Sequence, residues 1–128
     1  MSLATLAPPL SIADAASASG LTTHTLRYYE RDGLMVAGVG RSASGHRRYT
    51  ERDLAWITMI TRLRSTGMPI REVRAYAELV RAGTGNEAER LALLRAHRER
   101  VLAQLAEISE NLEAIDHKVE LYEAHLAK

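Results

Sequence analysis

No cysteine occurs anywhere in the chain. Disulfides, thiolate metal sites and cysteine redox sensing are therefore excluded together, and the composition fits a reducing cytoplasm. Long apolar runs are missing as well. None approaches the length needed to span a bilayer, and the opening MSLATLAPPL lacks the basic start and extended apolar stretch of a secretory signal. No strong charge of either sign is present, since 17 Lys and Arg stand against 16 Asp and Glu. Nor is there a nucleophile–base arrangement, a phosphate-binding glycine loop or a metal triad, so an enzyme is not expected.

What is present belongs to a globular protein. Hydrophobic residues make up 46% and charged residues 26% of 128, enough for one compact module with an extension. The near-zero net charge conceals an asymmetry. Residues 11–81 hold 11 Lys and Arg against 7 Asp and Glu, a net of +4, whereas residues 86–128 hold 6 against 9, a net of −3. Only the first half has the charge to meet nucleic acid.

Residues 1–10 contain Pro8-Pro9 and no periodic pattern, and read as a flexible arm. Ser11 can cap a short helix over 12–18, ended by Ser19-Gly20. Thr22 or Thr23 can cap a second helix reaching about Arg31, stopped by Gly33. The stretch 34–49, LMVAGVGRSASGHRRY, places Gly38, Gly40 and Gly45 between short segments and reads as a β-hairpin with a long glycine-rich tip. Thr50 and Asp53 form a capping-box pattern before a helix over 51–65, with Leu54, Ile57, Ile60 and Leu63 on one face. After Ser65-Thr66-Gly67, Pro69 opens a further helix over 70–80 with Ile70, Val73, Ala77 and Val80 at helical spacing.

A linker over 82–86, AGTGN, precedes one uninterrupted pattern. Leu91, Leu94, Arg98, Val101, Leu105, Ile108, Leu112, Ile115, Val119, Tyr122 and Leu126 follow one another in alternating steps of three and four, with neither Pro nor Gly after 86. That is a heptad seam of about five heptads on a helix over 87–127. Roughly 40 residues make roughly 60 Å of helix, longer than the preceding residues can cover. The favoured partner is a second copy, so Leu91, Leu94, Val101, Leu105, Ile108, Leu112, Ile115, Val119 and Tyr122 are expected to form a homodimer interface. A helix folded back over its own domain is the alternative.

The segment 12–31 fits a helix-turn-helix. Ala16 is small where two helices would cross, and Gly20 suits the turn four residues on. Leu26 and Tyr29, three apart, face the first helix through Ala15 and Ile12. Thr23, His24, Arg27 and Tyr28 then face outward. Of the adjacent tyrosines in TLRYYERDGL, Tyr29 is assigned to the core and Tyr28 to a DNA groove. The Thr22–His24 end offers helix N-terminal amides to phosphate, and Thr, His or Arg on the first turns can read base edges. Arg41 at the hairpin tip and Arg47, Arg48 and Tyr49 on its returning strand make the hairpin a basic wing. Arg31 and Arg64 complete the candidate cationic contacts, although helix arginines such as Arg62, Arg64, Arg71 and Arg74 often simply face solvent.

With these residues in place, the sequence resembles the MerR-type transcriptional regulators. The resemblance rests on Thr25-Leu26-Arg27-Tyr28-Tyr29-Glu30, Gly33-Leu34, Arg41, Gly45-His46-Arg47-Arg48-Tyr49, Asp53-Leu54 and Arg64-Ser65-Thr66-Gly67, and covers about residues 11–80. His46 stands where the family's wing usually has tyrosine, and Pro69 where it often has a capping Ser or Thr. The resemblance implies a mainly α, winged helix-turn-helix DNA-binding domain with a small β-hairpin wing, over 11–81. It also implies a long C-terminal dimerisation helix paired as an antiparallel coiled coil. It further implies a cytoplasmic homodimer on a pseudo-palindromic promoter operator, bending and untwisting the spacer for RNA polymerase. Double-stranded promoter DNA and a second copy are the implied partners, with no membrane and no cofactor.

The family's metal and redox sensors use cysteines, and larger members carry a separate effector domain. This chain resembles the short members. Glu113, His117 and Glu120 share a helix face, but on an exposed helix that is ordinarily a solvated polar surface. The same reading applies to His97 and His125. Trp56 is expected in the core beneath the wing. A protein-interaction scaffold, with the winged helix binding protein, is the alternative function; the cluster of Arg27, Arg47 and Arg48 speaks against it.

Overall fold

The computed structural model describes residues 8–36 and 39–128. Most of the expected arm, residues 1–7, and Gly38 of the expected hairpin tip lie outside the described residues. Two compact units make up the chain, the first ending at Leu93 and the second running from Leu94 to Lys128.

Helix α1 spans Ile12–Ser19. The Ser11 hydroxyl accepts from the Asp14 amide at 3.2 Å, filling one of the unpaired donors of a helix start. Gly20 ends α1 in the left-handed region at φ 74°, where a Cβ would be strained, and the Leu21 amide returns to the Ala16 carbonyl at 3.1 Å. Helix α2 spans Thr23–Arg31, with Thr22 as cap. Its inward residues, Leu26 and Tyr29, are buried together with Ala15 and Ala16 of α1.

Strands β1 (Gly40–Arg41) and β2 (Arg47–Arg48) pair antiparallel, Gly40 facing Arg48 and Arg41 facing Arg47. A further bridge joins Tyr49 to Leu10, each amide donating to the other's carbonyl at 2.8 Å. The last residue of the expected arm is thus held against the end of the hairpin.

Helix α3 covers Glu51–Ser65. Its capping box is closed: the Thr50 amide donates to Asp53 Oδ2 at 2.9 Å, and the Asp53 amide donates to Thr50 Oγ1 at 3.1 Å. Helix α4 covers Ile70–Arg81 after Pro69, which provides no side-chain cap. Helix α1 packs on α2 and α3, and α4 packs on α3. Leu34, Tyr49, Ile57, Ile60, Met68 and Val73 are almost fully buried at the centre. Trp56 is half-buried; its indole N–H donates to the Leu34 carbonyl at 2.6 Å, and its ring stacks on Tyr76 with centroids 5.6 Å apart.

Helix α5 runs over Glu87–Leu126, 40 residues without a break. Along it Leu91, Leu105, Ile108, Leu112, Ile115, Val119 and Tyr122 are all exposed, while Leu94 and Val101 are half-buried. So long an apolar stripe in water is the signature of an unfilled helix–helix contact. His97 departs from the expected polar surface: it is 5% exposed. No helix among the described residues is long and apolar enough to cross a membrane. No three His, Asp or Glu side chains converge as metal ligands among the described residues.

Candidate nucleic-acid interface

The outward face of α2 is built by its own cap. Thr22 Oγ1 accepts from the Thr25 amide at 3.0 Å, which commits that hydroxyl to the helix. The amides of Thr23 and His24 receive no partner from within the helix, as at any helix start, and they carry the positive end of its dipole. His24 and Arg27 are exposed, and Thr23 and Tyr28 half-buried. Arg27 Nη1 reaches Thr23 Oγ1 at 3.5 Å, one turn away on the same face. The two tyrosines separate as their positions on the helix require. Tyr29 is 6% exposed, Tyr28 lies outside the core, and their rings are tilted with centroids 6.2 Å apart. Arg31 sits in the last turn, with its side chain 67% exposed and 3.6 Å from Asp32.

The wing tip is held by its own polar groups. The Ser42 amide donates to the His46 carbonyl at 2.8 Å, and the Gly45 amide to Ser42 at 2.9 Å, with Gly45 at φ 84°. Ser44 Oγ lies 2.9 Å from His46 Nδ1. His46 therefore has a part in shaping the tip as well as a place beside the cationic surface.

Glu30 joins the hairpin to α2, and sequence reasoning missed it. Its carboxylate accepts from Arg47 Nε and, at 3.2 Å, from Arg41 Nη2. Arg41 Nη1 also donates to the Gly45 carbonyl at 3.2 Å. Two of the wing's arginines are thus struts in the free protein. Arg48 differs: it is exposed, and among the described residues no carboxylate lies within ion-pair distance of it. Between the first turn of α1, Arg27 and the returning strand lies a cavity of about 320 Å³, lined by Ser11, Ile12, Ala13, Arg27, Gly45, His46, Arg47 and Arg48. Three arginine residues contribute to its lining, Arg47 with its guanidinium held by Glu30.

One expected contact needs correction. Tyr49 is 1% exposed. It directly follows β2 and its backbone bridges Leu10, and at this burial its ring belongs to the core and not to a DNA-facing surface. Burial pushes the Tyr49 phenol above its ordinary pKa, with the Glu30 carboxylate adding to the shift. Its hydroxyl finds no hydrogen-bond partner among the described residues. Arg64 has an internal task as well, since Nη1 donates to the Met68 carbonyl at 2.8 Å and closes the turn after α3. Arg74 likewise donates from Nε to the Asp32 carbonyl at 3.0 Å, and Arg81 from Nη1 to the carbonyls of Gly33 and Met35 at 2.9 and 2.6 Å. These arginines clasp the segment that follows α2. No motif signals such bonds, because their acceptors are backbone carbonyls some forty residues away.

Comparison with known proteins adds an independent line. Residues 10–79 match the MerR HTH family regulatory protein model, and residues 54–118 match the MerR DNA-binding model. An HTH-type transcriptional regulator of Haemophilus influenzae is 34% identical over 111 residues, 87% of this chain and 82% of its own. The HTH-type transcriptional regulator AdhR of Bacillus subtilis is 39% identical over 93 residues, 73% of this chain and 66% of its own. Among solved structures, HiNmlR, a MerR family regulator lacking the sensor domain and bound to promoter DNA, superposes with a TM-score of 0.82 at 33% identity. That match covers 93% of this chain and 94% of HiNmlR.

Proposed function

The chain belongs to the MerR family of helix-turn-helix regulatory proteins, and from that premise we propose how it engages its operator. It is a DNA-binding transcriptional regulator that works as a dimer on promoter DNA. Its relatives are regulators and not enzymes, and the scaffold alternative is set aside. In our reading, α2 enters the major groove with Thr23, His24, Arg27 and Tyr28, and the wing follows the adjoining backbone. Tyr49 holds the frame and does not touch DNA.

The observation that carries this reading is the cleft shared by Arg27, Arg47 and Arg48 beside the first turn of α1. Arginines from two separate elements and a helix start line one concavity, and Arg27 and Arg48 have no carboxylate within ion-pair distance among the described residues, which suits a phosphodiester oxygen. Further support comes from the DNA-bound state of HiNmlR, whose fold this chain shares. A cytoplasmic dimer would grip both halves of a pseudo-palindromic site and distort the centre, bringing promoter elements into phase for RNA polymerase. Distortion of that kind costs up to several kcal/mol, which contacts at both ends must offset.

Footprinting on the DNA flanking the protein's own gene tests the reading. Two protected half-sites with enhanced cleavage between them are expected. Arg48→Ala should weaken binding about equally on all sequences and reduce the salt slope by about one per protomer. Absence of duplex affinity at low salt would overturn the reading.

A further inference from the structure

Within the antiparallel pairing that membership of the family implies, we propose that two copies of α5 adopt a single register, in which Arg98 of each copy meets Asp116 of the partner subunit. The inference rests on the dimeric reading above and deepens it. In heptad terms Arg98, Leu105, Leu112 and Val119 occupy one seam position, and Leu94, Val101, Ile108, Ile115 and Tyr122 the other. Most of these side chains are exposed, so the stripe needs a covering of matching length and pattern, which a second α5 provides.

A parallel pair would set each residue against itself. Arg98 would then meet the partner's Arg98 inside the seam, two like charges in a desolvated layer. An antiparallel pair sets each residue of one position against the other position. With Leu105 opposite Ile108 of the partner subunit, the layers become Val101 with Leu112, Leu94 with Val119, and Arg98 with Ile115. Asp116 follows Ile115 directly, which brings its carboxylate beside Arg98. Arg95, on the same edge, flanks that carboxylate too. All three are waiting charges: among the described residues Arg95, Arg98 and Asp116 have no ion-pair partner in their own chain. The opposite edge sets Gln104 against the partner's Asn111, a neutral match.

The neighbouring registers, one heptad away on either side, are worse. One places Glu87 opposite Val119 of the partner subunit and Arg90 against the partner's Lys118. The other places Leu102, 46% exposed, against the partner's Asp116 and takes that carboxylate away from Arg98. A single polar residue in an apolar seam is a recognised device for fixing register at some cost in stability, and Arg98 fills that role.

Because the chain has no cysteine, introduced thiols report without background. Val101→Cys, Leu112→Cys and the double variant are made in the full chain, confirmed as dimers by sedimentation, and oxidised mildly. The double variant should cross-link, with mass spectrometry finding residue 101 joined to residue 112; each single variant should stay uncross-linked. Cross-linking of either single variant, or a dimeric double variant without the 101–112 link, would overturn the register while leaving the dimer intact. Monomeric wild-type protein would overturn the dimeric reading itself. Charge exchange provides a second test. Arg98→Asp and Asp116→Arg should each raise the dimer dissociation constant at least tenfold, and the double exchange should restore most of it. Failure of the double exchange to restore dimerisation refutes the pairing.

Discussion

Replacing Glu30 by Gln removes one negative charge from between Arg41 and Arg47 and leaves the shape of the side chain nearly unchanged. The two pairs differ in weight. Arg47 and Glu30 are only 27% and 22% exposed in their side chains, whereas Arg41 is 47% exposed. A hydrogen bond to a charged group contributes about 1.5–3 kcal/mol against about 0.5–1.5 for a neutral one, so weakening the Arg47 bond costs about 1 kcal/mol. Solvent screening reduces the Arg41 pair to a few tenths of that. Urea unfolding at fixed protein concentration should therefore show a loss of about 1–2 kcal/mol. DNA binding should change in two opposing ways. The wing arginines, no longer held, must be ordered on the operator at about 0.5 kcal/mol or more each, which over four arginines in a dimer lowers specific affinity roughly thirtyfold. Non-specific affinity at low salt should rise, because a repelling carboxylate near phosphate has gone, and its salt dependence should steepen. Fluorescence anisotropy on an operator duplex and a scrambled duplex, across a salt series, measures both. An unchanged ratio of specific to non-specific affinity would refute the reasoning that Glu30 pre-organises the wing.

Tyr49→Phe should leave operator affinity within about twofold and stabilise the fold by up to about 1 kcal/mol, since it deletes a buried hydroxyl without a partner; a large loss of affinity would return Tyr49 to the DNA-facing surface. The phenol is raised in the folded state, so the unfolded chain ionises first and wild-type stability should fall as pH rises through about 10, a slope that Tyr49→Phe removes. Urea midpoints at pH 8 and 10.5 check this. Leu105→Glu with Ile108→Glu should yield monomers in sedimentation, with the circular dichroism of α1–α4 retained, and persisting dimers would refute the α5 seam. His24→Ala should alter the consensus returned by site selection and leave non-specific binding nearly unchanged; an unaltered consensus would argue that His24 reads no base.

What could be read from the sequence was local. The Thr50–Asp53 box, the Ser11 cap and the split between Tyr28 and Tyr29 each follow from residues within one or two helical turns, and α5 announces itself by forty residues of repeat. What could not be read depends on distance along the chain. Tyr49 follows a strand of two paired residues, too short for alternation to declare a face, and its backbone bridges Leu10, from before the helix-turn-helix. Glu30 lies inside the recognised motif, yet nothing local says that its partners are 11 and 17 residues away. Arg74 and Arg81 resemble any exposed helix arginine until their carbonyl acceptors are seen.

The arginines also show why counted charge misleads about a DNA-binding surface. Composition credits residues 11–81 with eleven cations, all of them arginine. Arg41 and Arg47 are bound to Glu30, Arg64 to Met68, Arg74 to Asp32, and Arg81 to Gly33 and Met35. Those bonds fix the wing, the turn after α3 and the segment after α2 before any DNA arrives. Side-chain ordering that is complete in the free protein is no longer charged against binding. The price is that fewer guanidinium groups are free to neutralise phosphate, so non-specific affinity should be modest for a domain of this charge. A regulator that must leave random sequence and settle on one operator benefits from that exchange, because specificity is the difference between the two affinities and not the size of either.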